Sequence, residues 1–316
     1  MPETDISLII ISLNSRHFLA DCLVSIRSSI WRDTTYELIV VDNGSTDGTL
    51  ELLAAEHNKD VRVIANGKNV GFCKAGNQGA EIATGRHLMF LNDDILIIDD
   101  AFPKLVEFMD AHPDVGMSGS RLLNADGTDQ FSSGRTFPSP MNAIFGRKSV
   151  LTRLFPNAGP ARRYLLSEQV TGQIPYEVDW LSAAAMLIRA DVHHEVKGLA
   201  EDFYYFHEMI ICDRVKRAGY KVYLHPQSKI LHYEGAGSGV RTRRVRTAHV
   251  KRFHIAAYRW FCAHHRLSEY NPVRLLVAGA LAVRAGSLMA LETFRAETDA
   301  ATKEIQVGRP EGGIPQ

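Results

Sequence analysis

The chain has 316 residues, 45% of them hydrophobic, which is long enough to bury a sizeable core in one large α/β domain or two smaller ones. Lys plus Arg and Asp plus Glu both total 36, so the net charge argues against a globally basic nucleic-acid binder or a protein built for an acidic partner. The four cysteines (Cys22, Cys73, Cys212, Cys262) lie far apart with no CxxC spacing, which argues against a zinc ribbon or a disulfide framework and fits reduced thiols in a cytosolic protein.

The polar start, Met1-Pro2-Glu3-Thr4-Asp5, runs directly into Ile6–Ile11 without the basic region or cleavage site of a signal peptide, so a cytoplasmic location is expected. Ser7–Leu13 reads as a strand ending at Asn14-Ser15, and Phe18, Leu19, Cys22, Leu23 and Ile26 then recur at helical spacing. Tyr36–Val41 is a second buried strand. It ends in Asp42-Asn43-Gly44-Ser45-Thr46-Asp47-Gly48-Thr49, a turn full of helix-capping residues, before a helix over Leu50–His57. A strand over Val61–Ala65, a loop over Asn66–Gly71, a helix over Lys74–Thr84 and a strand over Arg86–Leu91 follow. The last of these is an apolar run that stops at Asn92-Asp93-Asp94, as expected for a strand buried on both faces. This βαβ alternation implies right-handed crossovers and a parallel sheet.

Further on, the pattern predicts a helix over Ala101–His112 and a strand over Val115–Leu122. Asn124–Gln173, rich in Gly, Pro, Ser and Arg, reads as a long loop or subdomain lying over a site. Order returns at Tyr176–Arg189, with Val178-Asp179-Trp180-Leu181 ahead of a small-residue run, then a helix over Glu208–Ala218 capped by Gly219 and strands over Lys221–Leu224 and Lys229–His232. The tail is basic (Arg241, Arg243, Arg244, Arg246, Lys251, Arg252), then aromatic, then apolar. Arg274 and Arg284 interrupt Val273–Leu291, which argues against a spanning helix, and the segment beyond Thr298 reads as frayed.

Three strand ends deliver Asn14, Asp42 and Asn92-Asp93-Asp94. If those strands are neighbours, the side chains meet at the carboxyl edge of the sheet, where open α/β folds bind ligands. Adjacent carboxylates repel unless something positive joins them, and a divalent cation shared with phosphates is the simplest partner. The absence of a Gly-x-Gly-x-x-Gly or Walker loop disfavours a dinucleotide oxidoreductase and a P-loop phosphotransferase.

Ser12-Leu13-Asn14, the run Val40 to Thr49, Asn69-Val70-Gly71-Phe72, Leu91-Asn92-Asp93-Asp94, Asp179 to Met186, Arg217-Ala218-Gly219-Tyr220 and His232-Tyr233-Glu234-Gly235 together resemble the inverting, GT-A-fold glycosyltransferases of family 2. Within that family the combination is most similar to bacterial rhamnosyltransferase-like enzymes of cell-wall and polysaccharide assembly. The resemblance spans about residues 5–240. It implies a GT-A α/β domain over 1–240, with a nucleotide-binding half at 1–122 and an acceptor-side half at 123–240. A helical tail over 241–298 and a disordered end over 299–316 would follow.

Residue by residue, the resemblance places Asn14 and Asn69 near the nucleotide, Asp42 on the pyrimidine base, Asn92 and Asp93 toward ribose and phosphates, and Asp94 and His232 on Mg2+ or Mn2+. Each has a plainer alternative: Asp42 and Asp47 as helix caps, Asp93-Asp94 as a solvated turn, His232 as a structural histidine. Trp180 either stacks on an acceptor sugar or fills the core. The family's acidic pair falls on His207-Glu208, and Ile210 takes the next acidic position. Glu208 is therefore the expected base, with His207 as its orienting neighbour or as the base itself, and Glu201 and Asp202 are further alternatives.

The implied reaction moves a sugar, with dTDP-rhamnose as the first reading of the donor, to a hydroxyl of a glycan or lipid-linked acceptor. No nucleic acid is involved, and the oligomeric state is left open. The basic run is a solvated face, a clamp on a diphosphate or a contact to anionic lipid at the inner membrane face, and the apolar tail packs either on a membrane surface or on protein. Two rivals stay open: a nucleotide-sugar-binding relative with impaired catalysis, and a Mg2+-dependent nucleotidyltransferase. The latter would be expected to carry a Gly-rich basic loop where Asn14-Ser15-Arg16 stands.

Overall fold

The computed structural model describes residues 4–56, 61–130, 133–138, 172–233 and 243–307, with the backbone alone at 56, 243–246 and 291–307. The chain divides into two compact units, Met1–Gly237 and Ser238–Gln316.

In the first unit β1 (Ile6–Ser12), β2 (Tyr36–Asp42), β3 (Val61–Ala65) and β4 (His87–Asn92) alternate with α1 (Arg16–Ser28), α2 (Thr49–Glu56) and α3 (Phe72–Ile82). β1 is buried throughout and β4 up to its last residue, so both appear in sequence as unbroken apolar runs. β1 pairs in parallel with β2 on one side and β4 on the other, with Ser12 opposite Asp42 and Ile11 opposite Asn92. The three polar strand ends are therefore neighbours. α3 lies close against this sheet because Gly79 has no side chain: a Cβ there would sit 2.4 Å from Ile9 Cγ2.

Past β4 come β5 (Ile95–Ile97), α4 (Ala101–Ala111), β6 (Val115–Leu123), β7 (Gly134–Arg135), β8 (Tyr176–Glu177) and β9 (Trp180–Leu181). β10 (Ala185–Arg189), α5 (Ala190–Glu195), α6 (His207–Arg217) and β11 (Lys221–His232) complete the unit. The main sheet runs β3-β2-β1-β4-β10-β6-β11-β5, with β8 on β11, while β7 and β9 form a separate pair. β10 is antiparallel to both β4 and β6, so a parallel half is joined to a mixed one. The result is a mixed α/β sheet flanked by helices, as the GT-A resemblance implies.

Three differences from the sequence reading have physical causes. β5 is three residues long, too short to show a period. α5 follows β10 with no intervening turn signal. The two strands expected over Lys221–Leu224 and Lys229–His232 are one, β11, with a register shift between His225 and Lys229 where Pro226 cannot donate a ladder hydrogen bond.

The second unit contains α7 (Arg243–His264) and α8 (Val273–Val307). The helical backbone of α8 continues past Thr298, where fraying was expected. Val273–Ala290 has a mean hydropathy of 1.6 and, among the described residues, is the one helix long and apolar enough to cross a membrane, contrary to the expectation from its two arginines. Most of the loop expected over Asn124–Gln173 (131–132 and 139–171) lies outside the described residues, as do 234–242 with Arg241, and 308–316.

Candidate active site

The turn after β2 is tied to the end of β1. Asp42 Oδ2 accepts the backbone N–H groups of Gly44 and Ser45, both at 3.1 Å. Asn14, with φ at +53°, receives Thr46 N–H on its amide oxygen at 2.8 Å and donates its own N–H to Ser45 Oγ at 2.9 Å. Asp47 accepts Thr49 N–H on one oxygen and Arg16 N–H on the other, so it holds the starts of α2 and α1 as the capping alternative foresaw. Gly44, at φ +90°, is pressed against the backbone of Lys68, which a Cβ would approach to 2.6 Å. The Lys68 loop is in turn fixed through Asn69 Oδ1, which accepts from Asn43 Nδ2 at 3.2 Å and from Gly71 N–H at 2.9 Å. Asp42 is wholly buried, and its second oxygen, Oδ1, has no hydrogen-bond partner among the described residues.

Beside this wall, the chain turns sharply between β4 and β5 and carries Asp93 and Asp94. Both are buried, and Asp93 Oδ2 and Asp94 Oδ1 have no hydrogen-bond partner among the described residues. Burial pushes the Asp93 carboxyl up to about 6, and the neighbouring Asp94 charge pushes the same way. Because β5 pairs antiparallel with β11, Ile95 stands opposite His232, and the imidazole is delivered to the turn. His232 Nε2 lies 3.4 Å from Asp94 Oδ1 and 3.4 Å from Asn92 Nδ2.

Gln130, in the loop after β6, determines which nitrogen of that ring is free. Its Nε2 donates to the His232 carbonyl oxygen at 2.6 Å, a bond that only the NH2 end of the amide can make. The amide oxygen therefore faces His232 Nδ1, at 2.9 Å, and Nδ1 must donate to it. In the neutral ring this leaves the Nε2 lone pair aimed at the orphaned Asp94 oxygen, two electron-rich atoms facing each other in a buried pocket. A positive charge, a proton on Nε2 or a metal cation, is what such an arrangement lacks. No group of three or more His, Cys, Asp or Glu residues able to hold a metal occurs among the described residues. If the pocket takes an ion, Asp94 Oδ1 and His232 Nε2 are the atoms that would hold it.

A second acidic group lies at the start of α6. Phe206 enters the helix in the left-handed region, at φ +65°, and presents His207 and Glu208 in the first turn. The His207 ring lies against Phe72 at the start of α3, with centroids 4.8 Å apart, and its Nδ1 is 3.5 Å from Glu208 Oε2. The Glu208 side chain keeps 20% of its surface exposed, enough to meet an incoming hydroxyl. Cys73 registers the same cluster: burial, followed by the charges of Glu208, Glu201 and Asp202, pushes its thiol up to about 12. Glu201 accepts a hydrogen bond from Asn77 Nδ2, whereas Glu208 has only the His207 ring beside it in the described contacts.

The family model for glycosyl transferase family 2 matches residues 7–169, which include Asn14, Asp42 and Asn92-Asp93-Asp94 but neither Glu208 nor His232. The chain belongs to that family. Among curated relatives, an N-acetylglucosaminyl-diphospho-decaprenol L-rhamnosyltransferase of Mycobacterium tuberculosis is 25% identical over 268 residues, covering 81% of this chain and 84% of the relative. Among solved structures, a mannosyltransferase of Pyrobaculum calidifontis in complex with GDP-Man and Mn2+ superposes with a TM-score of 0.56 at 17% identity, covering 99% of this chain and 78% of that one. S. aureus TarS in complex with UDP gives 0.55 at 15% identity, covering 90% and 72%. At these identities the structural likenesses speak for the fold.

Two expectations for this family 2 glycosyltransferase change. Trp180 is buried in β9, donates its ring N–H to Thr136 O at 3.0 Å and carries the Arg135 guanidinium over its ring at 4.9 Å. It is a core ring with a covered face, the second of the two alternatives the sequence offered, and not an acceptor platform. Asp42, with no exposed surface, holds the turn; a base could reach Oδ1 only if that turn opened. Gln130 escaped the sequence reading because Asn124-Ala125-Asp126-Gly127 signals only a turn, and the pairing that brings Gln130 to β11 is long-range.

Proposed function

We propose that the chain transfers a sugar from a nucleoside-diphosphate sugar to a hydroxyl of a glycan or lipid-linked acceptor, with inversion, in cell-wall polysaccharide assembly at the cytoplasmic membrane face. The observation that carries this is the buried face-to-face pair of Asp94 Oδ1 and His232 Nε2 at 3.4 Å, with the imidazole tautomer fixed by Gln130. Asp94 and His232 would hold a divalent ion, and the imidazole favours Mn2+ over the harder Mg2+. Such an ion supplies positive charge to a departing diphosphate. Asp93 and Asn92 border the same pocket and are assigned to ribose and phosphate. Asn14, Asn43 and Asn69 shape the wall that receives the nucleotide, and Asp42 Oδ1 would accept a base N–H once the buried turn it holds opens.

Glu208 is the base. Its carboxylate removes the proton of the acceptor hydroxyl as that oxygen attacks the anomeric carbon from the side opposite the leaving diphosphate. His207, held on Phe72, positions Glu208. Rhamnose from dTDP-rhamnose is the first donor to test, supported by the 25% identical mycobacterial rhamnosyltransferase. The test is a panel of nucleotide-sugars with purified protein, with Mn2+ or with EDTA, reading released nucleoside diphosphate. Release that persists undiminished in EDTA would remove the metal assignment. Binding of nucleoside diphosphate with no release from any donor would favour the catalytically impaired relative, which the His207-Glu208 departure keeps in play.

A further inference from the structure

We propose that the hairpin α7–α8 is a docking surface for an anionic lipid layer, in which α8 lies flat. The two arginines that break the apolar run of α8 in sequence are both turned toward α7 and its following turn. Arg274 donates to Tyr258 Oη at 3.1 Å and to Leu267 O at 3.3 Å, and its guanidinium sits 5.8 Å from the Tyr258 ring centre. Arg284 Nη1 lies 3.4 Å from His254 Nε2. Apart from these two arginines, of which Arg284 stays exposed, Val273–Ala290 carries no charge, and Leu275, Leu276 and Val283 are 79%, 73% and 72% exposed. At a rise of about 1.5 Å per residue this apolar strip is roughly 27 Å long. A continuous apolar face of that size in water calls for a partner.

Charge identifies the partner. Lys251, Arg252 and Arg259 on α7 and Arg266 just after it are exposed, and from 241 to 291 ten lysines and arginines stand against one acid, Glu269. An apolar strip beside a basic helix matches the headgroup and acyl boundary of an anionic leaflet. A second copy of this hairpin would bring the same positive charge to the contact and be repelled. A spanning arrangement is disfavoured because it would take Arg284 toward the hydrocarbon. It would also have to accommodate the continuation of the same helix through Glu292, Arg295, Glu297 and Asp299.

The test is sedimentation of the full chain with vesicles of phosphatidylcholine alone or with phosphatidylglycerol, without donor or acceptor, so that its outcome is independent of the transfer reaction. Binding is expected to the anionic vesicles only and to weaken in high salt. It should drop about tenfold or more in Lys251→Glu/Arg252→Glu. Leu276→Asp/Val283→Asp, on an exposed face, should abolish binding while leaving the thermal transition in place. Failure of the native chain to bind anionic vesicles would overturn the proposal. So would a solution dimer that Leu276→Asp/Val283→Asp dissociates while vesicle binding is unchanged.

Discussion

Gln130 grips His232 at two points, the backbone carbonyl at 2.6 Å and ring Nδ1 at 2.9 Å, and so determines which nitrogen of the imidazole faces Asp94. Gln130→Leu removes both bonds and frees the ring to turn or change tautomer. Loss of such an outer-shell partner costs about 10- to 100-fold in metal affinity. The expected outcome is a fall of that size in Mn2+ affinity, measured by electron paramagnetic resonance in the presence of nucleoside diphosphate. The 15N shifts of His232 should move from an Nδ1–H pattern toward Nε2–H. An unchanged tautomer with unchanged Mn2+ binding would reduce Gln130 to a packing residue.

Glu208 and His207 separate by which step they affect. Glu208→Gln keeps the shape and hydrogen bonding of the side chain but not its basicity, so kcat is expected to fall by about 10² to 10⁴. Donor affinity should hold within a few-fold. His207→Phe keeps the ring contact with Phe72 and removes only the imidazole nitrogens, so its kcat should fall far less. The reverse pattern, with Glu208→Gln active and His207→Phe dead, would transfer the role of base to His207.

The sequence showed the parallel half of the sheet because β1 and β4 are covered on both faces, and their apolar runs end abruptly at polar residues. It could not show how the second half closes the site. His232 meets Asp94 only because three residues, Ile95–Ile97, pair antiparallel with the end of β11, and Gln130 arrives from a hairpin whose residues signal only a turn. Both contacts are long-range, and local propensity carries no record of them. Trp180 illustrates the opposite limit: its residue type suits a sugar platform equally well, and only its burial under Arg135 decides against it.

That burial predicts a stability effect. Trp180→Ala empties a packed site and orphans Thr136 O, for an expected loss of about 3 to 5 kcal/mol in unfolding free energy by urea titration. Trp180→Phe refills most of the volume, so it should recover much of the stability and leave the KM for acceptor near the native value. A large rise in acceptor KM for Trp180→Phe, at native stability, would restore the ring to the acceptor site.

Acid should weaken the fold through its buried histidines, against a smaller opposing gain from Asp93, whose carboxyl at about 6 takes up a proton in the folded state first. Burial holds His193 and His225 at about 4 instead of 6.5, with the His194 charge adding to the first and Lys104 to the second. In the unfolded chain the same rings take up a proton near 6.5, so between pH 6.5 and about 4 the unfolded state binds more protons. Stability is therefore fully present above pH 6.5 and falls as pH drops through that window, by at most about 3 kcal/mol for each ring. Asp5, Asp110 and Glu37 lie below their ordinary values because hydrogen bonds outweigh burial, and their contributions are lost only at lower pH. The urea midpoint should thus drop between pH 7 and pH 5. His193→Phe, which keeps a ring against Phe90, should shallow that drop without removing it, because His225 remains. A midpoint that rises from pH 7 to pH 5 would mean that both rings accept protons in the folded state and that the Asp93 gain stands alone.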